Sequence, residues 1–210
     1  TLHNTLFPYT TLFRSITLAE TAADTSVDHF VYSSVASVDQ DSTATLRNFA
    51  SKRRIEERID ELGLPATVVR PTNFMNNFEH RRDEILEGTL ALPLNEGVSL
   101  QMIDVRDIGS FVARILERPD RYLNGTYELA GDELTLEGMA ETVSRVTGTE
   151  ITAEHVSIED ARRRVDDVYA DMPDWFNSHG YDVDIDRLRR EHDVTFSDFE
   201  GYLVRAGWGT

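Results

Sequence analysis

Strand-like and helical segments alternate along this chain, and this alternation restricts its possible folds more than any other feature. Short runs of β-branched and aromatic residues are separated by stretches whose apolar residues recur at helical spacing. The predicted strands are residues 27–34, 66–70, 89–92, 98–104, 126–130 and 150–156. The predicted helices are residues 16–25, 46–62, 73–86, 107–117, 135–146, 184–191 and 197–206, with another from Ile158 onward. Strands separated by helices predict an α/β fold built on a doubly wound, mainly parallel sheet.

The composition narrows the class of protein further. The net charge of −17 means that most of the surface repels a phosphate backbone, so direct binding of nucleic acid is not expected. The chain has no cysteine and no apolar run long enough for a membrane span. These features predict a cytoplasmic protein without disulfides, cysteine-ligated metals or a membrane anchor.

Lysine is almost absent from this chain. Of its 21 basic residues, 20 are arginine and one is Lys52. An acidic surface nearly free of lysine is typical of salt-adapted proteins, which stay soluble through charge repulsion; an ordinary acidic protein is the alternative. The single lysine also indicates that a compact ammonium is needed at this position, because a guanidinium is a wide planar fork. The alternative is a chance surface lysine in the basic run 52–54.

The first fifteen residues differ from the rest of the chain. The segment from Leu6 to Ser15 shows neither helical nor alternating periodicity, and the acidic pattern begins at Ile16. All ten residues of this segment also resemble the in-frame translation of a common short-read sequencing adapter. We therefore predict that residues 1–15 are not native, with a native N-terminal strand as the alternative.

A nucleotide-binding sheet usually has a glycine-rich turn after its first strand, because only glycine lets the backbone approach a pyrophosphate. None of the 12 glycines falls into the patterns G-x-G-x-x-G or G-x-x-G-x-x-G. Either the chain binds no dinucleotide, or the part that carries the turn is missing. The predicted helix remnant at Ile16, directly after the foreign-looking segment, favours the second explanation. A chain without this turn is expected to bind a dinucleotide weakly or not at all.

Four motifs follow one another in a characteristic order. They are residues 29–34 (HFVYSS), Ser51-Lys52 with Ile55-Glu56, residues 68–77 (VVRPTNFMNN) and residues 103–109 (IDVRDIG). Together with the closing stretch 181–208, they resemble the NmrA-like family of atypical short-chain dehydrogenases/reductases, over the chain from Ile16 onward. The resemblance implies a Rossmann-like NAD(P)-binding domain over residues 16–130, without its first strands. It also implies a small C-terminal α/β lobe over residues 131–210 that shapes a cleft.

The resemblance gives Lys52 a role at the nicotinamide ribose, and in reductase relatives this lysine assists proton transfer. In those enzymes a tyrosine lies four residues before the lysine on the same helix face, where the cation lowers the pKa of the phenol. This chain has Asn48 at that position, and an amide cannot act as a general acid. Lys52 is therefore the candidate catalytic residue, while Asn48 argues against reductase chemistry.

Further candidate residues lie where two predicted strands end. Ser33 and Ser34 end the first strand and are candidates to bond the nicotinamide or a substrate carbonyl; the alternative is that they are turn residues. Open α/β sheets bind ligands at the carboxyl ends of their strands. The resemblance accordingly implies that four residues after the next strand line the nicotinamide end: Pro71, Thr72, Asn73 and Phe74. The alternative is a loop and helix cap, with Phe74 and Phe78 in the core.

Several polar residues are predicted to begin helices. Asp107 is expected to cap the helix that it begins, and Ser157 and Ser197 are each followed three residues later by an acidic residue. Asp182, Asp184 and Asp186 imitate the start of a calcium loop. Arg187 stands where such a loop needs glycine, so we expect a helix N-terminus with favourably placed acidic residues instead. We predict no metal site.

Two functions are compatible with these features. The first is an NAD(P)-binding protein that senses redox state, with a partner protein as its target, and Asn48 favours it. The alternative is an NAD(P)H-dependent quinone or carbonyl reductase that uses Lys52, with the cofactor supplying the hydride. The choice between NADP and NAD stays open, because the groups that make this choice in the family have no counterpart in this chain.

Overall fold

The computed structural model of the protein describes residues 7–164 and 171–209. The strands are β1 (Phe30–Ser33), β2 (Ala66–Pro71), β3 (Asn73–Phe74), β4 (Thr89–Leu92), β5 (Ser99–Ile103), β6 (Thr126–Leu129), β7 (Asp132–Thr135) and β8 (Thr152–His155). The first helices are α1 (Phe7–Asp24), α2 (Arg47–Glu61), α3 (Arg82–Leu86), α4 (Val105–Glu117) and α5 (Pro119–Tyr122). The others are α6 (Leu136–Thr147), α7 (Ile158–Arg164), α8 (Met172–Ser178), α9 (Ile185–His192) and α10 (Phe199–Arg205).

The strands form three small sheets. β2 lies between β1 and β6, and both pairs are parallel. β5 lies between β3, which is parallel to it, and β7, which is antiparallel. β4 and β8 form a parallel pair. The predicted α/β fold with a mainly parallel arrangement is confirmed, but its strands are divided among three sheets.

The central strand β2 is buried on both faces, as a parallel strand between two helical layers should be. Val68 belongs to an apolar cluster that contains residues of α1 and α2. The next residue, Val69, belongs to a second cluster together with Phe111 and Ile115 of α4. Because successive side chains point to opposite faces of a strand, helices cover this sheet on both sides, and the fold is doubly wound.

Helix α1 begins earlier than we predicted. The sequence showed no helical period before Ile16, but the helix runs without interruption from Phe7 to Asp24. Leu12 is buried in one apolar cluster with Ala19 and Ala22, so one side of this helix continues across the predicted boundary. The sequence analysis assigned no helix to residues 7–15, because their periodicity is weak, but burial against α2 can stabilise such a helix. Over these described residues the alternative of an N-terminal strand is wrong.

Residues 73–86 form more than the single helix predicted. The segment begins with the short strand β3, continues as a 3-10 helix over Met75–Arg81 and ends with α3. Phe78 is buried, as one alternative proposed, whereas the exposed fraction of Phe74 is 36%. The pairing of Phe74 with Ile103 of β5 explains the difference, since a strand pairing replaces the first predicted helical turn.

The helix caps correct two predictions and confirm two others. The Asp104 carboxylate caps α4, whereas Asp107 accepts a hydrogen bond from the backbone N–H of Ser197. Asp198, and not Ser197, caps α10 by accepting the N–H of Gly201. Ser157 does accept the N–H of Asp160 at 3.1 Å, as predicted for the start of α7. The predicted helix N-terminus in the 182–186 segment is also present, since Asp184 caps α9 through the N–H of Arg187.

The remaining helices and strands pack around a further apolar cluster. Its buried residues come from α3, β4, β5, α6 and α10 and include Met139, Phe199 and Trp208. The helix predicted from Ile158 onward is described as far as Arg164, and its continuation over 165–170 lies outside the described residues. None of the described helices is both long and apolar enough to span a membrane.

Candidate functional site

The carboxyl ends of β1 and β2 lie side by side and define the site. The N–H of Ser34 donates to the carbonyl of Val69 at 2.7 Å, and the N–H of Ala36 donates to the carbonyl of Pro71 at 3.0 Å. The chain leaving β1 therefore runs next to the end of β2. This edge is where open α/β sheets bind their ligands.

Lys52 on α2 reaches the end of β1. Its Nζ donates a 2.8 Å hydrogen bond to the carbonyl of Ser33 and lies 5.2 Å from the centre of the Tyr32 ring. Burial lowers the pKa of Lys52, and the negative charge of Glu56, one helical turn further on, opposes that effect. The structure thus brings Lys52, Ser33 and Ser34 together at one edge, as the sequence analysis expected of site residues.

Asn48 lies one turn before Lys52 on the same helix. Its Nδ2 group donates to the sulfur of Met172 at 3.2 Å, which links α2 to α8. The position that holds the acidic tyrosine in catalytic relatives is therefore occupied by an amide engaged with α8. It offers no transferable proton.

Four buried polar atoms around this edge have no hydrogen-bond partner in the described part of the chain. They are the Tyr32 hydroxyl, Ser34 Oγ, Ser37 Oγ and Asn48 Oδ1. A buried polar atom without a partner costs about 1–3 kcal/mol, and folded proteins keep few of them. Several such atoms around the end of β1 leave hydrogen-bonding capacity that the described protein groups do not use.

The last residue of β2 and the residue after it make bonds within the protein instead. Pro71 is buried, and its carbonyl accepts the Ala36 N–H described above. The N–H and the hydroxyl of Thr72 both donate to the carbonyl of Leu129, at 3.0 and 3.2 Å. The hydrogen-bond donors of Thr72 are therefore already engaged, which favours the structural alternative for these two residues.

Asn73 leads from this edge into an apolar cleft of about 390 Å³. Its Oδ1 atom accepts a 3.3 Å hydrogen bond from Nδ2 of Asn77, and Phe74 next to it is partly exposed. Met172 lines the cleft and also contacts Asn48, so the cleft lies next to the Lys52 edge. The other lining residues are Asn77, Phe78, Arg81, Leu92, Pro93, Leu94, Leu100, Pro173 and Phe176.

An arginine and three carboxylates lie behind the edge. Arg70 of β2 binds both carboxylate oxygens of Glu56 (3.2 and 2.7 Å) and bonds Asp39 at 2.7 Å. Glu128, its partner on β6, lies 3.9 Å from the guanidinium and accepts the N–H of Ser37 at 2.7 Å. Burial raises the pKa of Glu128. This network fixes α2 against the sheet at the height of Lys52.

The model of the NmrA-like family matches residues 10–203. This chain belongs to the NmrA-like family. Among curated proteins, it is similar to the photosystem II assembly factor Ycf39 of Trieres chinensis, with 31% identity over 117 residues. That alignment covers 55% of this chain but only 36% of the relative, so the chain spans little more than a third of that protein.

Solved structures confirm the fold of this NmrA-like chain. The triphenylmethane reductase of Citrobacter sp. in complex with NADP(H) is similar with a TM-score of 0.78 at 18% identity, over 97% of this chain and 72% of that one. The negative transcriptional regulator NmrA in complex with NADP is similar with a TM-score of 0.67 at 18% identity. That match covers 91% of this chain and 68% of the regulator. Likeness at this identity shows a shared Rossmann-like fold.

The sequence analysis of this NmrA-like chain missed two parts of the site. It assigned no helix to residues 172–178, although Pro173 at the first turn is a typical helix-start signal. It also did not find the partner of Arg70. A charged residue at the end of an otherwise buried strand was the available signal, because such a charge needs a partner.

Proposed function

We propose that this NmrA-like chain carries the nicotinamide end of an NAD(P) site and acts as a redox-state sensor for a partner protein, not as a reductase. Lys52 would bond the ribose beside the nicotinamide. Ser33, Ser34 and Asn73 would supply further polar contacts, and Phe74 an apolar wall. The observation that carries the proposal is the edge of β1, where one ammonium group lies near buried polar atoms without protein partners.

The residues present fit one half of a nicotinamide dinucleotide. A carboxamide and a ribose offer both hydrogen-bond donors and acceptors, which the serine hydroxyls and the Asn48 carbonyl can satisfy. The pyrophosphate has no comparable partner, because no glycine of the chain forms the usual phosphate-binding turn. When bound, the cofactor would supply a hydride. The groups of this chain would bind and orient its nicotinamide end.

The groups around Lys52 argue for a sensor because none of them is suited to act as the general acid that accompanies this lysine in reductase relatives. Asn48 is an amide, and the Tyr32 hydroxyl is buried, which together with the charge of Glu56 raises the pKa of that phenol. A general acid works best with a pKa near the operating pH, and this tyrosine lies far above it.

Calorimetry with reduced nicotinamide mononucleotide tests the binding site. We expect the Lys52→Met variant to bind this ligand roughly 10–100-fold more weakly, the value of one hydrogen bond to a charged group. Arg54→Met is the matched control, because it removes the same charge from an exposed position on the same helix. Equal weakening in both variants would mean that net charge, and not this site, determines binding.

Steady-state NADPH oxidation distinguishes the sensor from the reductase. With a simple quinone or an aldehyde as acceptor, we expect no turnover above the rate without protein. Turnover that is lost in Lys52→Met but kept in Arg54→Met would establish the reductase instead.

A further inference from the structure

The position of the Lys52 ammonium depends on a choice between two acceptors. Lys52 and Glu56 are one turn apart on α2, the spacing at which lysine and glutamate usually pair. In the described structure these two residues form no ion pair within 4.0 Å. Lys52 donates to the carbonyl of Ser33, while Glu56 bonds Arg70.

The bonds from Arg70 explain why Glu56 does not form an ion pair with Lys52. Its Nε and Nη2 atoms donate to the two carboxylate oxygens of Glu56, an arrangement that fixes both oxygens in one plane. The side chains of Arg70 and Glu56 are only 12% and 13% exposed, so solvent competes little with this pair. The cross-strand neighbour Glu128 and the loop residue Asp39 hold the guanidinium from its other side.

We propose that Glu56 and Arg70 are positioning residues for Lys52. Arg70 occupies both oxygens of Glu56, so the ammonium group stays at the end of β1, and the nearby carboxylate charge keeps that group protonated. This inference rests on the proposed function only in assigning a purpose to Lys52. The positions of the three side chains stand without it.

The two parts of this arrangement make opposite predictions. Without the charge of Glu56, the half-buried ammonium loses its nearest compensating charge and should release its proton more readily. Without Arg70, the carboxylate of Glu56 is free to approach Lys52, and the lysine should then hold its proton more tightly. Loss of the Arg70 charge alone also favours the protonated lysine, so the effect of its bonds to Glu56 is the difference between Arg70→Met and Arg70→Gln, which remove the same charge.

The experiment uses the single lysine of the chain. Protein produced with ¹³C,¹⁵N-labelled lysine gives one side-chain signal, and its pH titration reports the pKa of Lys52. We expect Glu56→Gln to lower this pKa by roughly 0.5–2 pH units, the range for a charge about one helical turn away. Glu57→Gln is the matched control, since it removes the same charge from the next, exposed position and should leave the pKa unchanged. An unchanged pKa in Glu56→Gln would overturn the proposal.

Arg70→Met should raise the pKa of Lys52, and a lowered or unchanged value would contradict the role of Arg70. If this variant does not fold, Arg70→Gln keeps one donor for Glu56 and should give a smaller rise in the same direction. These titrations contain no ligand. If the pKa shifts occur but nicotinamide mononucleotide does not bind, the positioning role of Glu56 and Arg70 stands and the proposed function is wrong. If the mononucleotide binds but the pKa shifts do not occur, the proposed function stands and the positioning role is wrong.

Discussion

The carboxyl ends of β1 and β2 are neighbours in one sheet, but their polar groups differ in what they bond. At the end of β2, the N–H and hydroxyl of Thr72 both reach Leu129. At the end of β1, the hydroxyl of Ser34 is buried without a partner in the described structure, and so is the side-chain Oδ1 atom of Asn48 on the adjacent helix α2. The first arrangement stabilises the fold, whereas the second reduces stability. A protein retains such a cost where binding needs it, so the comparison supports the proposed ligand site at the β1 end.

The largest effect on stability should come from Arg70, which bonds Glu56 of α2 and Asp39 of the loop after β1. We expect Arg70→Met to lower the free energy of unfolding by about 3–5 kcal/mol, because it leaves the largely buried carboxylate of Glu56 without its partner. Urea denaturation measures this change. Arg53→Met is the control, since it removes an exposed pair with Glu57 and should cost about 1 kcal/mol or less. Similar losses in both variants would show that the network contributes no more than a surface ion pair.

A smaller loss is expected at the end of β2. Thr72→Val keeps the shape of the side chain and removes only its hydrogen bond to Leu129, so the free energy of unfolding should fall by about 0.5–1.5 kcal/mol. Binding of nicotinamide mononucleotide should not change. Weaker binding in this folded variant would place Thr72 in the ligand site and remove the contrast between the two strand ends.

At the end of β1, loss of a hydroxyl should change the free energy of unfolding in the opposite direction. Ser34→Ala removes a buried hydroxyl that has no protein partner, so the protein should be unchanged or more stable by up to about 1 kcal/mol. The same variant should bind nicotinamide mononucleotide more weakly. Chemical denaturation and calorimetry on one sample measure both quantities. A clear loss of stability would mean that Ser34 has a structural role like that of Thr72.

The smallest effect is the pH dependence caused by Lys52. Because burial lowers its pKa in the folded state, the unfolded chain binds this proton more tightly. Lys52 therefore reduces stability below its folded-state pKa, and this penalty fades as the pH rises toward the unfolded value. Relative to Lys52→Met, the wild type should become more stable between neutral pH and about pH 10.5. A constant difference across this range would show that the folded environment does not disfavour the charge.

Much of the fold was predictable because local patterns and packing agree. The spans of β4 and the starts of β2 and β6 match the predicted strands, since each of these runs buries at least one apolar residue in the core. Residues 73–86 were predicted less well, because β3 exists only through its pairing with β5. The pairing partner of a two-residue strand is a long-range contact that no local pattern contains.

The candidate site was predictable in its residue types but not in its geometry. Lys52 was singled out because it is the single lysine of the sequence, and Asn48 because it stands four positions earlier, where catalytic relatives have a tyrosine. Their partners are distant in sequence: Ser33 is 19 residues from Lys52, and Met172 is 124 residues from Asn48. Only the folded structure shows that the hydroxyl of Thr72 has a hydrogen-bond partner, while the hydroxyl of Ser34 has none among the described residues.

The most direct test of the central claim follows the labelled Lys52 signal during addition of nucleotides to the 210-residue chain. We expect reduced nicotinamide mononucleotide to shift this signal in a saturable way, and adenosine monophosphate to leave it unchanged. NADPH should bind within about tenfold of the mononucleotide, because its adenosine half meets no phosphate-binding turn. No shift with the mononucleotide at millimolar concentration, or an equal shift with adenosine monophosphate, would contradict a nicotinamide site at the end of β1.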